Sequence, residues 1–286
     1  MTQLVVLSLI IVIVSTAPPP STLTCSRQDQ DQACHIEGLT LDPSTVFPEE
    51  PIIHLDNCTV EDFSPQLAAN VPDSTKELSI LDGFAPKVFV KPTLKSFTVL
   101  RTDTADVQIN PEDNFNLEVL DIEGHLRSVP VNVHRLKALV VLDLCENEIE
   151  QVDLSQLDGL NSLRKVNLGH NNIHSVSLTK ELNLPGLEEL FLHGNDLTTL
   201  DLTNLKADSL QRLYVSQNHL LRIGGFPAPE HNKLTRVDLY LNKWNCEWLE
   251  STLRVLNGNG VETLSYLPVT VCNESGSVRV DAIGCE

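Results

Sequence analysis

Between residues 139 and 242 the pattern L-x-x-L-x-L-x-x-N-x-L returns five times at almost constant spacing. It reads Leu139, Leu142, Leu144, Asn147, Ile149, then Leu163, Val166, Leu168, Asn171, Ile173. It continues as Leu187, Leu190, Leu192, Asn195, Leu197, then Leu210, Leu213, Val215, Asn218, Leu220, and closes with Leu234, Val237, Leu239, Asn242. Successive copies begin 24, 24, 23 and 24 residues apart. A unit this short cannot bury its own apolar face, so the copies must stack on one another around one continuous core. That requirement excludes a globule packed about a single centre and leaves a coil of repeated turns.

Each position has a physical reason. The central L-x-L predicts a short strand whose two apolar side chains point inward while alternate residues point out. The Asn turns the chain after the strand, and its amide can satisfy backbone groups left unpaired in that turn. Asn147, Asn171, Asn195, Asn218 and Asn242 are therefore expected to form a structural ladder. Weaker copies lie upstream: Leu117, Leu120, Ile122, then Leu94, Phe97, Val99, then Leu78 with Ile80 and Ile53 with Leu55. At the Asn position these carry His125, Thr102, Gly83 and Cys58. The expected fold is an α/β-type solenoid, a leucine-rich-repeat horseshoe of about nine turns with a parallel concave sheet and disulfide-bearing caps at both ends.

The chain begins with an apolar run, Leu4 to Val14, too short to span a bilayer, followed by Ser15-Thr16-Ala17 and three prolines. This reads as a secretory signal over residues 1–17, with the boundary anywhere from 15 to 24. The remaining divisions are an N-terminal cap over 18–50, repeats over 51–243 and a C-terminal cap over 244–286. Of seven cysteines, Cys25 and Cys34 flank a polar loop and suit a disulfide-closed first cap, and Cys246 and Cys272 suit the other end. An alternative pairs Cys246 with Cys285. An odd number leaves one thiol over, and Cys285, then Cys145, are the candidates for an intermolecular bond. Behind Asn245 as N-cap, with Glu247 in the first turn, Trp248, Leu249, Leu253 and Leu256 predict a helix ending at Gly258. Asn57-Cys58-Thr59 and Asn273-Glu274-Ser275 are glycosylation sequons, so Asn57 and Asn273 are candidate acceptors.

Nearly all of residues 25–285 resembles secreted leucine-rich-repeat proteins with cysteine-bearing caps. The stretch Asn242-Lys243-Trp244-Asn245-Cys246 resembles their C-terminal cap, which usually carries a second Cys where this chain has Trp248. The short first cap, degenerate early repeats and acidic balance look most like the leucine-rich immune proteins of mosquitoes. That resemblance implies a haemolymph protein of the short, coil-less type. Some members of that family form complexes with complement-like thioester proteins, which makes such a protein, or another leucine-rich-repeat chain, a candidate partner. The coil-less type does not by itself imply that complex.

Acidic side chains outnumber basic ones 39 to 20, a formal charge of −19. Such a surface repels nucleic acid and anionic membranes, and no later segment is apolar enough to span a bilayer. There is no G-x-S-x-G, no H-E-x-x-H, no phosphate-binding Gly-Lys-Ser/Thr and no metal-spaced Cys/His cluster. His170, His193 and His219 fall in turns or outward positions of separate repeats and read as ordinary exposed residues. No enzymatic activity, cofactor or metal is expected.

The informative surface is the inside of the curve. Its middle outward column reads Asp121, Asp143, Asn167, Phe191, Tyr214, Asp238; the column before it reads Val119, Val141, Lys165, Glu189, Arg212, Arg236; the one after, Glu123, Cys145, Gly169, His193, Ser216, Tyr240. Phe191, Tyr214 and Tyr240 lie on a diagonal with Arg212 and Arg236 beside them, aromatics and arginine being enriched in interface hot spots, and His193 completes the candidate ligand-binding set. Asp121, Glu123, Asp143 and Glu146 stack like charges, which a solvated face tolerates and an electropositive partner or cation would relieve. The expected function is secreted, non-enzymatic recognition of a protein or glycan ligand by the concave face in innate defence. The alternative is an extracellular adhesive, structural or developmental role.

Overall fold

The structure, a computed structural model, describes residues 22–112, 114–228 and 231–264. The apolar alternation of the repeats makes one strand per turn, and these strands pair side by side into a twelve-stranded sheet. In chain order they are β1 (Arg27–Gln28), β2 (Cys34–Glu37), β3 (Ile52–Asp56), β4 (Glu77–Leu81), β5 (Ser96–Leu100) and β6 (Val119–Ile122). They continue as β7 (Val141–Asp143), β8 (Lys165–Asn167), β9 (Glu189–Phe191), β10 (Arg212–Tyr214), β11 (Arg236–Asp238) and β12 (Glu262–Leu264). The β1–β2 pair is antiparallel; every later pairing is parallel and keeps repeat position opposite repeat position. β3 to β11 are the strands of the nine expected turns. Both ends extend further than the repeat pattern suggests, because β2 inserts Cys34 and Ile36 opposite Ile53 and Leu55, and β12 adds a strand after the helix Cys246–Gly258.

The inward residues of all turns form one core, with Leu142, Leu144, Val166, Leu168, Leu190 and Leu192 essentially inaccessible. Burying such a side chain contributes roughly 1.5–3 kcal/mol. The outer side is made of short pieces: strand pairs such as Lys87–Phe89 with Asp106–Gln108 and Gln151–Asp153 with Ser175–Ser177, and 3-10 turns such as Leu154–Leu157. A five-residue helix, α1 (Pro65–Ala69), is capped by Ser64 and opened by a proline.

The Asn ladder forms as expected. Asn171 donates through Nδ2 to the carbonyls of Leu144, Leu168 and Gly169 at 2.9, 3.3 and 3.1 Å, and its Oδ1 accepts from Ile149 N–H at 2.9 Å. Asn195 repeats this with Leu168, Leu192 and His193, accepting from Ile173. Each amide thus ties its own turn to the one before. The early turns solve the same problem differently. The Cys58 thiol donates to Ile36 O at 3.3 Å; Thr102 bonds Thr104, whose hydroxyl donates back to Ala85 O. Gly83 has no side chain to offer because a Cβ there would lie 2.3 Å from Cys58 O. His125 swings outward to Glu148 at 2.7 Å.

At the first cap Cys25 and Cys34 are joined, as expected. At the other end α2 (Cys246–Gly258) starts behind Asn245, whose side chain accepts from Trp248 N–H at 2.9 Å, with Glu247 in its first turn. Gly258 is the helix's last residue and Asn259 its C-cap. Trp248, standing where the resemblance leads one to expect a cysteine, stacks on Trp244 with ring centres 4.8 Å apart. Cys246 is disulfide-bonded; Cys272, Cys285 and Asn273 lie outside the described residues, as does the expected signal segment. Cys58 and Cys145 are free thiols. No helix among the described residues is long and apolar enough to cross a membrane.

Candidate functional site

Parallel pairing in constant register turns the outward columns into continuous lines of side chains. Asp121 faces Asp143, Asp143 faces Asn167, Asn167 faces Phe191, and Phe191 faces Tyr214. The column begins earlier than the sequence suggests: His35 faces His54, His54 faces Ser79, and Ser79 faces Thr98.

The C-terminal patch assembles around an aromatic pair. Phe191 and Tyr214 ring centres lie 4.8 Å apart at 60°, His193 meets Phe191 edge-on at 6.2 Å, and Lys165 Nζ sits 5.6 Å over the Phe191 ring. These neighbours leave Phe191 only 9 % exposed although it points away from the core, so Tyr214 carries the accessible aromatic surface. Both arginines are held within the sheet. Arg212 pairs with Glu189, and Arg236 forks onto Glu262 at 3.1 and 2.9 Å while reaching Tyr214 Oη at 3.5 Å. The β12 carboxylate that orients Arg236 was invisible to the repeat pattern. Tyr240 lies beyond β11, half-buried, its N–H donating to Asp238. His193 differs from the expectation of an exposed histidine: it is half-buried, stacked edge-on against His170 at 4.8 Å, with Nδ1 unpartnered. Burial, and His170 beside it, lower its pKa and keep it neutral.

The acidic patch also assembles, with internal relief. Lys165 Nζ reaches Asp143 at 2.8 Å and Asn167 Nδ2 reaches the same oxygen at 3.1 Å. Asp121, half-buried and facing Asp143, is pushed up to about 6, first by burial and then by that charge. Burial and Glu146 raise Glu123 as well, whereas Glu146 itself is exposed. Cys145 is raised to about 11 by burial first and by Asp143 and Glu146 next, so its thiol stays protonated at neutral pH. Asn57 is exposed and its neighbour Cys58 is buried and free, which leaves the first sequon without a competing disulfide.

The repeat pattern gives no sign of the N-terminal cluster of His35, His54 and Asp29. The signal lay in two like-spelled strand pieces, His35-Ile36-Glu37 and His54-Leu55-Asp56, which place His and acid on one face.

A family profile described as Leucine rich repeat matches residues 115–173. Human Podocan-like protein 1 is 31% identical over 131 residues, 45% of this chain and 25% of that protein. Tsukushi of Xenopus tropicalis is 32% identical over 110 residues, 37% of this chain and 31% of that protein, and Tsukushi of Gallus gallus is 31% identical over 137, 46% and 36%. The chain thus spans a quarter to just over a third of these curated relatives. Among solved structures, a chain of the octameric complex of Latrophilin 3, Unc5D and FLRT2 (LRR) superposes with TM-score 0.64 at 17% identity, covering 85% of this chain and 78% of that one. A chain of the Drosophila Toll–Spatzle complex gives 0.58 at 16%, covering 74% and 29%. Repeat period, parallel sheet, Asn ladder and structural neighbours agree: the fold is a leucine-rich-repeat solenoid.

Proposed function

We propose that this is a secreted, non-enzymatic recognition protein that binds a protein ligand through the C-terminal half of its concave face. The observation that carries the reading is the cluster of Tyr214 and Phe191 with Lys165, Arg212 and Arg236. It gathers cations and aromatic surface on one rigid sheet in a chain of net charge −19. Arginines held by Glu189 and Glu262 lose little side-chain freedom on binding, and the partly exposed Tyr214 offers a large apolar face with a polar tip. Because each of these cations is already matched by Asp143, Glu189 or Glu262, a partly apolar epitope with its own hydrogen-bonding groups of both signs fits this chemistry. The Cys25–Cys34 disulfide suits an oxidising, extracellular setting. The likeness to the Toll–Spatzle chain, and the resemblance to mosquito leucine-rich immune proteins, support a defence role in haemolymph. Within that role a complement-like thioester protein or a second leucine-rich-repeat chain is the partner to look for.

The test is affinity capture from body fluid with mass spectrometry, comparing wild type with the Tyr214→Ala/Phe191→Ala double variant. If the patch is the hot spot, the double variant weakens binding of the captured partner by about 2 kcal/mol or more. Tyr214→Ala alone accounts for most of the loss, because Phe191 is largely covered. Unchanged capture of every partner by the double variant overturns the reading.

A further inference from the structure

The N-terminal end of the concave face holds a cluster that the recognition patch does not use. β2 and β3 place His35 opposite His54, and the two rings stack with centres 4.8 Å apart and planes 14° from parallel. The third member comes from the loop closed by the Cys25–Cys34 bond. There Asp29 Oδ1 accepts from the N–H groups of Asp31 and Ala33, each at 3.0 Å, and this hold aims Oδ2 at His35 Nε2, 3.2 Å away. On the other side of the ring, His35 Nδ1 lies 2.6 Å from Asp56 Oδ2. His35 is 7 % exposed, and ligand-type atoms of Asp29, His35 and His54 all lie within 4.8 Å of one another. His54 Nδ1 is buried with no hydrogen-bond partner.

The orientation of His35 is informative. A carboxylate that accepts Nδ1–H fixes the tautomer with its lone pair on Nε2, the arrangement common behind metal-bound histidines. That lone pair then faces the Asp29 carboxylate, and two acceptors at this separation repel unless a cation lies between them. Bonds of about 2.0–2.1 Å in tetrahedral geometry put neighbouring ligand atoms roughly 3.3–3.4 Å apart. The Asp29–His35 pair already has nearly that separation at 3.2 Å, whereas His54, whose ring now stacks on His35, must turn its side chain to aim a lone pair at the same ion. The rival cation is a proton: an imidazolium at His35 would donate to both carboxylates. It leaves His54 Nδ1 buried beside a positive ring with no hydrogen-bond partner, whereas a metal ion gives that imidazole a ligand role.

We propose that Asp29, His35 and His54 form a binding site for a late first-row divalent cation, Zn2+ by its ligand chemistry, with Asp56 as the orienting carboxylate. Two imidazoles and one carboxylate suit zinc, and three protein ligands leave a fourth position for water or a partner's side chain. Because the ligands come from the cap loop, β2 and β3, a bound ion braces the cap against the first turn of the solenoid.

The test uses tag-free, chelator-stripped mature protein titrated with Zn2+ by calorimetry, with thermal melting alongside. One saturable equivalent that raises the melting temperature is expected. Asp29→Asn, an exposed and shape-preserving change, and His54→Gln each weaken Zn2+ binding by at least about tenfold, and Asp56→Asn weakens it by about 10–100-fold through lost orientation. His193→Gln leaves it unchanged. Substitution with Co2+ adds a readout independent of stability: a strong visible band in wild type that is lost in Asp29→Asn, even if His54→Gln is not secreted. Absence of saturable Zn2+ binding overturns the proposal, as does binding that Asp29→Asn leaves intact. So does nitrogen NMR showing His35 protonated on both ring nitrogens at neutral pH and indifferent to Zn2+.

Discussion

The ladder asparagines show how much one amide can hold. In Asn195→Ala three carbonyls lose a donor, and the buried Ile173 N–H, which now donates to Asn195 Oδ1 at 2.9 Å, loses its acceptor. Leaving buried polar groups unpaired costs about 1–3 kcal/mol each, so a total loss of roughly 3 kcal/mol or more is expected in urea denaturation. Asp121 behaves in the opposite sense. Its pKa is raised on folding from an ordinary 3.8 to about 6, so between those values the folded state binds more protons than the unfolded state. Stability from this group is therefore fully present below about 3.8 and is lost as pH rises through about 6. Asp121→Asn should stabilise the protein by ~1–2 kcal/mol at pH 7.5, allowing for solvent screening of a half-buried group, and by much less at pH 4. A pH-independent effect in paired melts would assign the shift elsewhere. Cys145 follows from the same acidic surroundings: alkylation of the native protein at pH 7.5 should be many-fold slower than of the unfolded chain, because so little thiolate is present.

At the scale of the strand, the decisive fact is that each inward residue belongs to two interfaces, one with the turn before and one with the turn after. Leu168 and Leu192 sit on successive turns with at most 1 % of their surface accessible. An aspartate at either place buries an unpaired charge between stacked neighbours and should unfold several turns together. Leu168→Asp and Leu192→Asp should each reduce secretion sharply and lower or abolish the thermal transition. Normal secretion and melting of both would refute the register. The two cap elements show what the repeat pattern does not reach. α2 was readable because a helix cap, an acidic first turn and helical apolar spacing all lie in adjacent residues. β12 was not, because Glu262–Leu264 carries no repeat signature and becomes a strand only by pairing with β11.

For the whole molecule, the period determined the fold. A unit that cannot close its own core must stack, and a constant spacing makes the stacking parallel and in register, so the solenoid, the Asn ladder and the membership of each outward column were legible in the residues. The column rule alone brought Phe191 beside Tyr214 and Asp121 beside Asp143. What it could not supply was how fully each outward side chain is already satisfied. That Phe191 is covered by Lys165, Tyr214 and His193, that Glu262 holds Arg236, and that Lys165 relieves Asp143 depend on side chains reaching across strands and on a strand outside the repeat. The histidine cluster makes the same point most plainly. His35 and His54 are 19 residues apart in a region of weak repeats, and Asp29 joins them only because a disulfide loop folds back over β2. Periodicity is a local property of the chain and is written in every copy; contact between a cap loop and a strand exists only once the ends have packed.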